Sequence, residues 1–275
     1  MTRPSGPVPR GGEASTPSVA RMYDLYAGGD HGDDPDREAA GAALRALPGL
    51  DVAIRANRAF LRRAVRIAAE RGITQFLDVG SGYLVDGPGN VHDAARQVAP
   101  GARVAYVELD PAGVAHNRAL LKDDPAAIAV QGDLLAPQDI LADPDIRALL
   151  DFERPVALTL AAVLHFIDDR DDPGGKVAVL RDALAAGSVL IVSHAHVHPG
   201  VTGADYDGIQ EVYRGFGSSL QNRGPAETRR FFDGFTLLEP GLTGMADWHP
   251  DAATEREHPM SHSGVVGMGV KDRPA

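Results

Sequence analysis

The sequence predicts an α/β protein: a doubly wound, mostly parallel seven-stranded sheet with an antiparallel last strand, preceded by an N-terminal helical cap. Three observations predict it. Apolar strand runs alternate with helical patterns from Gln75 to His194, the signature of a parallel sheet covered by helices on both faces. The first of these strands opens into the glycine turn Asp78-Val79-Gly80-Ser81-Gly82, which places a ligand at the carboxyl ends of the strands. Two closing runs, Phe232 to Leu242 and Ser263 to Val270, have no helical pattern between them and so can pair antiparallel.

In chain order, residues 1–15 are rich in Pro, Gly and Ser and are expected to form a disordered tail. Residues 16–72 form the cap. Thr16 reads as a helix cap with Pro17 in the first turn, leading into Ser18 to Tyr26, and Gly28-Gly29 stops that helix. A second helix is expected over about Pro35 to Leu47, and an arginine-rich third over about Val52 to Arg71. In the third, Ile54, Phe60, Leu61, Ala64, Val65 and Ile67 supply an apolar face, and Arg58, Arg62, Arg63 and Arg66 are read as its solvated side. The domain proper spans 73–275. Its strands are expected at Gln75–Val79, Val104–Glu108, Ile128–Gln131, Val156–Leu164 and Val189–His194. Residues 83–90 form an insertion before a helix that begins near Val91 and is capped by Asn90.

Composition narrows the function classes. At 275 residues and 44% hydrophobic content the chain can bury one large core. A formal net charge of −11 argues against nucleic acid as a partner, because phosphate binding needs clustered cations. The absence of cysteine excludes disulfides, thiolate metal sites and cysteine nucleophiles. No signal peptide is visible, and the longest apolar stretch, Val156 to Ile167, is too short to span a bilayer. The expectation is a cytoplasmic protein without a membrane partner, monomeric or homodimeric.

The glycine turn can be sorted by spacing. A dinucleotide site wants a third glycine where Val85 stands, and a P-loop needs a Gly-Lys-Ser/Thr that the chain lacks. The remaining ligand has no phosphates and is held through ribose hydroxyls, an adenine edge and an amino-acid zwitterion: S-adenosyl-L-methionine. Gly80, Ser81 and Gly82 let the backbone approach it, with N–H groups expected to be free there. The next strand ends in Glu108-Leu109-Asp110-Pro111. Glu108 is read as the ribose ligand, since a carboxylate accepts from two hydroxyls. Asp110 lies on the same face and either joins it or caps the helix that Pro111 begins. Asp133, with Leu134 beside it, follows the third strand and would take the adenine amino group.

These motifs resemble a bacterial family of S-adenosylmethionine-dependent methyltransferases long known as a domain of unknown function. The likeness runs from about Thr16 onward through Ser18-Val19-Ala20-Arg21-Met22-Tyr23-Asp24, Gly28-Gly29-Asp30, Arg55-Ala56-Asn57-Arg58-Ala59-Phe60-Leu61, the glycine turn, Gly89-Asn90-Val91-His92 and Val163-Leu164-His165-Phe166. It implies the class I methyltransferase fold and a cofactor site at Asp78, Gly80, Gly82, the strand-end acid and Asp133. The chain departs from the family pattern at Glu108-Leu109-Asp110-Pro111, where Asp-Asn-Asp-Pro is expected, and at Gly28-Gly29-Asp30-His31-Gly32, where Gly-Gly-Lys-Asp-Asn is usual.

Methyl transfer needs a base only if the acceptor must lose a proton. His165 is the candidate, as base or cofactor contact; the alternative is a core histidine that never titrates. Arg21 or Arg58 could pair with the methionyl carboxylate, Asn57 could bind cofactor or cap a helix, and Tyr23, Tyr26, Tyr83 and Phe166 are candidates for cation–π contact with a sulfonium. Asn90, in the loop of residues 83–90 that could close over a ligand, is a further candidate cofactor contact. Residues 201–230, with Tyr206, Tyr213, Arg214 and Phe216, are read as an acceptor-side insertion, and the acceptor as a small molecule, with a protein acceptor left open. Two alternatives stand beside this reading. His194, His196 and His198, with Asp205, could build a metal-dependent hydrolase site, or the chain could be a non-catalytic S-adenosylmethionine-binding regulatory module.

Overall fold

The computed structural model describes residues 16–87, 89–196 and 202–272, so the expected tail and His198 lie outside the described residues. Helices α1 (Val19–Tyr26), α2 (Asp34–Ala46) and α3 (Leu50–Glu70) come first. Ser18, rather than Thr16, caps α1: it is extended and its side chain accepts from the Arg21 N–H. A reciprocal pair, Asp33 and Asp36, caps α2. Gly49, with φ 84°, turns the chain sharply into α3.

The core follows the expected alternation. It comprises β1 (Gln75–Val79), α4 (Val91–Arg96), β2 (Arg103–Glu108), α5 (Pro111–Leu120), β3 (Ala127–Gln131), α6 (Pro137–Ala142), α7 (Pro144–Leu149), β4 (Ala157–Ala161), α8 (Pro173–Asp182) and β5 (Val189–His194). Then come α9 (Gly203–Gly215), α10 (Pro225–Arg229), β6 (Phe235–Leu237) and β7 (Val265–Lys271). The sheet order is β3-β2-β1-β4-β5-β7-β6. The first five strands pair in parallel, and β7 inserts antiparallel to both β5 and β6. β1 is therefore central, and its carboxyl end lies between those of β2 and β4.

Two strands are shorter than their apolar runs. The run expected to reach Leu164 ends at Ala161, because Ala162 takes a left-handed φ of 55° and its N–H turns to Ser193 Oγ at 2.9 Å. The chain then makes a single 3-10 turn over Leu164–Phe166. The run expected over 232–242 contributes only β6, since Phe232 still belongs to a 3-10 turn.

Side chains of β1 alternate between two cores, as strand geometry requires. Phe76 packs with α3, α4 and Trp248, whereas Leu77 and Val79 pack with α6, α7 and α8. Helix α3 buries Ala56, Phe60, Ala64, Val65 and Ala68 on the first side, with Phe60 edge-on to Trp248 at 5.3 Å. Arg63, expected on the solvated side, is only 2% exposed and donates to the carbonyls of Met245 and Trp248. A neighbouring loop covers it, which the period of the helix alone does not show. A third core joins Met22, Tyr26, Ala40 and Ala43 of α1 and α2 to Ile209 and Tyr213 of α9. The cap and the 203–220 region thus form one roof, and together with the strand ends they enclose the cleft described next.

Candidate cofactor and active site

A cleft of about 1360 Å³ opens at the carboxyl ends of β1, β2, β3 and β4 and is roofed by residues 16–20, Tyr23 and residues 216–221. Its floor begins at Asp78, the fourth residue of β1. Register places Asp78 opposite Thr159 of β4, and the Thr159 hydroxyl donates to its carboxylate. Burial pushes the Asp78 carboxyl up to about 6; the Thr159 bond opposes this and the nearby Glu108 charge adds to it.

The glycine turn has the predicted shape but not the predicted free amides. Gly80 and Gly82 have φ of 77° and 65°, yet the Gly80 and Ser81 N–H groups donate to Val107 O at 2.8 and 3.1 Å, and Gly82 N–H donates to Glu108 Oε2 at 2.7 Å. No helix starts at the turn, because α4 begins only at Val91. The turn is therefore not an anion nest like those that hold phosphates. A Cβ on Gly82 would meet nothing within 4 Å, whereas one on Gly80 would strike Val163 at 2.6 Å.

Glu108 ends β2 on the cleft wall, 5% exposed, with its second oxygen accepting from Asp110 N–H at 2.9 Å. Burial raises its carboxyl, and the N–H groups of Asp110 and Gly82 oppose the rise. Room for this longer acid comes from Gly113 on α5, whose added Cβ would lie 3.1 Å from Glu108 Cγ. Asp110 is the cap of α5, accepting from Ala112 N–H at 2.9 Å, and its other oxygen accepts from Ser18 Oγ and Arg21 Nη1. Asp133 and Leu134 also line the cleft, and an Asp133 oxygen accepts from Leu135 N–H at 2.8 Å.

At the other end of the cleft stand Tyr23, Asn57 and Arg58. Asn57 is 3% exposed in the middle of α3, so it caps nothing; its Nδ2 donates to Tyr23 Oη at 2.7 Å, and its buried Oδ1 has no partner among the described residues. An unmet buried acceptor costs about 1–3 kcal/mol unless a ligand donor meets it. The Arg58 guanidinium sits 5.6 Å from the Tyr23 ring centre and pairs with no carboxylate among the described residues. Arg21, the other arginine considered for the methionyl carboxylate, is not on the cleft wall. Its guanidinium is spent on Asp36, Asp110 and the Thr16 carbonyl. Asn90 lines the cleft and precedes α4, but its amide grips Val85 through both the N–H and the carbonyl, at 2.9 and 3.0 Å, fixing the loop before the helix.

His165 is not brought to the cleft either. It is 7% exposed, its Nδ1 accepts from Ala195 N–H at 3.1 Å, and its ring packs against Phe166. Burial, with the charges of His194 and Arg223 adding to it, holds its pKa well below the ordinary histidine value. Phe166 takes the place on the cleft wall that His165 was expected to hold, together with Ile167, Asp168, Gln210, Arg214 and Phe216. Tyr83 lines the cleft, whereas Tyr26 and Tyr213 are buried against each other at 3.5 Å. Tyr206 donates to Leu220 O.

The histidine cluster does not assemble as a metal site. His194 is fully buried, with Nδ1 directed to Ala195 O at 2.8 Å and Nε2 to Arg223 Nη1 at 3.0 Å, leaving neither nitrogen for an ion. His196 pairs with Asn222, and Asp205 is occupied in capping α9. His198 lies outside the described residues, and no group of three metal-ligating side chains occurs among them. Nor is any described helix long and apolar enough to cross a membrane.

Thr159 and Ala162 shape the site without having been singled out in the sequence, and Ser18 and Val163 were named there only as members of motifs, with no role at the site. Thr159 becomes legible only through the β1–β4 register, and Ala162 and Val163 only once β4 is seen to stop early.

Comparisons with known proteins bear on the family and the fold. A profile of the S-adenosyl methyltransferase family matches residues 9–272. Among solved structures, the chain is similar to a candidate methyltransferase from Thermobifida fusca YX, at 37% identity and TM-score 0.86, covering 94% of this chain and 96% of that one. It is equally similar to a DUF574-family protein from Streptomyces avermitilis MA-4680, at 36% identity and TM-score 0.88, covering 94% and 98%. The N-methyltransferase NodS from Bradyrhizobium japonicum WM9, solved with S-adenosylhomocysteine, shares the fold at 12% identity and TM-score 0.50, covering 92% of this chain and 99% of that one. The sequence matches no curated protein.

Proposed function

The chain belongs to the S-adenosyl methyltransferase family and is an S-adenosylmethionine-dependent methyltransferase; from that premise we propose that its methyl acceptor is a small molecule bound under the roof of α1 and α9. The observation that carries this reading is the convergence, in one cleft, of a turn without side-chain bulk, the Glu108 carboxylate and the unmet Asn57 carbonyl. The residues fit the cofactor. Glu108 would hold the ribose hydroxyls, Asp133 and Leu134 the adenine, and the open face of Gly82 would admit the molecule's body. Asn57 Oδ1 would accept from its ammonium group, while Arg58 would meet its carboxylate as a planar fork.

When bound, the cofactor supplies a sulfonium methyl group for in-line displacement. The chain's own contribution is alignment and exclusion of water. Phe166, Ile167 and Phe216 furnish an apolar wall, and Gln210 and Arg214 furnish polar groups to orient an acceptor. His165 has no part in proton removal on this reading, and Asp168 is held down to about 2 by its bonds to Arg170, which leaves it a poor base. A cleft of about 1360 Å³ exceeds the roughly 300–1,000 Å³ of a typical single-ligand pocket, as expected if it takes cofactor and acceptor together.

Two measurements test the proposal. Titration calorimetry should show S-adenosylmethionine and S-adenosylhomocysteine binding. Separately, S-adenosylhomocysteine formation should be supported by the low-molecular-mass fraction of a bacterial extract. Activity confined to the macromolecular fraction would refute the small-molecule acceptor, and binding without turnover in any fraction would favour a regulatory module.

A further inference from the structure

Residues 16–20 form part of the cleft roof next to Glu108, Leu109 and Asp110, and they are fastened there by a compact polar network. Arg21 lies at its centre. Its Nε donates to Asp36 Oδ2 at 2.5 Å, its Nη1 to Asp110 Oδ2 at 3.2 Å and its Nη2 to Thr16 O at 3.1 Å. Ser18 adds two more bonds, from its N–H to Asp36 Oδ1 at 2.7 Å and from its hydroxyl to Asp110 Oδ2 at 3.0 Å. Asp36 and Asp110 are 0% and 4% exposed and Arg21 is 9% exposed, so one buried cation serves two buried carboxylates. Beyond Asp110, the network reaches Glu108, whose Oε1 accepts from Asp110 N–H at 2.9 Å.

We propose that this network is a latch: Arg21 is a positioning residue that holds residues 16–20 across the ribose end of the cofactor cleft and thereby slows cofactor release. The inference deepens the cofactor reading above and rests on it. Three features point to positioning rather than contact. Arg21 does not line the cleft, whereas the residues it holds do. Its donors are directed to partners in the roof (Thr16), in α2 (Asp36) and at the end of β2 (Asp110), so a planar fork is needed to join all three. And the bonds to Asp36 and Asp110 join segments far apart in sequence, so releasing the fork loosens the roof, leaving the Ser18 hydroxyl as its remaining side-chain tie to Asp110, without unmaking any strand pair. Breaking a buried ion pair from one side leaves uncompensated charge, so the latch is held shut in the folded protein.

The test uses the full-length protein and S-adenosylhomocysteine as the probe, with release followed by stopped-flow displacement. Arg21→Met is expected to speed release about tenfold or more, with Arg21→Lys intermediate because an ammonium cannot span all three acceptors. Ser18→Ala, which removes one hydroxyl and its capping bond, is expected to speed release about threefold. Deuterium exchange at amides 18–23 should rise in the same order, a change that a purely global destabilisation would spread over the sheet as well. Wild-type release rates in a folded Arg21→Met protein would overturn the latch; if Arg21→Met does not fold, wild-type release in Ser18→Ala would do so. Unchanged variants of a protein that binds the probe would sink the latch alone, whereas a wild-type protein that binds no probe would sink the cofactor reading and the latch with it.

Discussion

Replacing Gly80 with alanine separates two costs that this position combines. Gly80 has φ of 77°, a conformation that costs an L-residue roughly 1–2 kcal/mol. A Cβ there would also lie 2.6 Å from Val163 Cγ2 and 2.8 Å from Val163 Cβ, closer than packed carbons approach, and such overpacking adds about 1–3 kcal/mol. The expected loss is therefore about 2–5 kcal/mol in urea unfolding. Val163→Gly in the same background removes both the Cγ2 and the Cβ contact but not the φ cost, so a double-mutant cycle should return a favourable interaction energy of about 1–3 kcal/mol. Gly82→Ala is the control. At φ 65° with nothing within 4 Å, it should lose only about 1–2 kcal/mol of stability, yet its methyl group would occupy cofactor space and weaken S-adenosylhomocysteine binding. An interaction energy near zero between positions 80 and 163 would refute the steric argument. Undiminished binding by Gly82→Ala would refute the placement of the cofactor.

Other expectations follow from the same geometry. Because burial keeps Asp78 protonated up to about 6 instead of 3.8, the folded chain holds a proton that the unfolded chain has released. Its contribution to stability is thus present at low pH and lost as pH rises from about 4 to 6, by on the order of 3 kcal/mol; Asp78→Asn should remove that slope in unfolding measured across the window. His194 runs the opposite way: burial lowers it from 6.5 to about 4, so stability is lost as pH falls through that range, again by on the order of 3 kcal/mol. Nitrogen NMR should show its Nε2 unprotonated at pH 6, and a protonated ring there would contradict the Arg223 bond. Glu108→Gln should weaken S-adenosylhomocysteine binding about 10- to 100-fold, the worth of a charged hydrogen bond of about 1.5–3 kcal/mol, and calorimetry would expose an unchanged affinity. Arg63→Ala should cost about 2–4 kcal/mol in urea unfolding by stranding the carbonyls of Met245 and Trp248; a loss below half a kcal/mol would mean those carbonyls find water.

The features legible in the sequence are those encoded locally. Alternation of apolar runs, the turn at Gly80–Gly82 and the acid that closes the second strand each follow from the chemistry of adjacent residues, and β1 and β5 have the expected bounds. The same local logic failed wherever a polar residue's role depends on what covers it. Arg63 and Arg58 share one helix, yet a distant loop buries the first and the cleft receives the second. His165 and Phe166 are neighbours in sequence, but the 3-10 turn after Ala161 sends the histidine toward Ala195 and the phenylalanine to the cleft wall.

By itself, then, the sequence determined a mostly parallel α/β sheet with a glycine turn at the carboxyl end of β1, because side-chain period and glycine conformation are properties of short segments. Only the tertiary structure decided which charges are spent and which face the ligand: Arg21 is spent on Asp36 and Asp110, the Gly82 amide is spent on Glu108, and Asn57 Oδ1 is left unmet. Hydrogen-bond partners in a folded chain come from strand register and from elements that lie far apart in sequence, and periodicity carries no information about either.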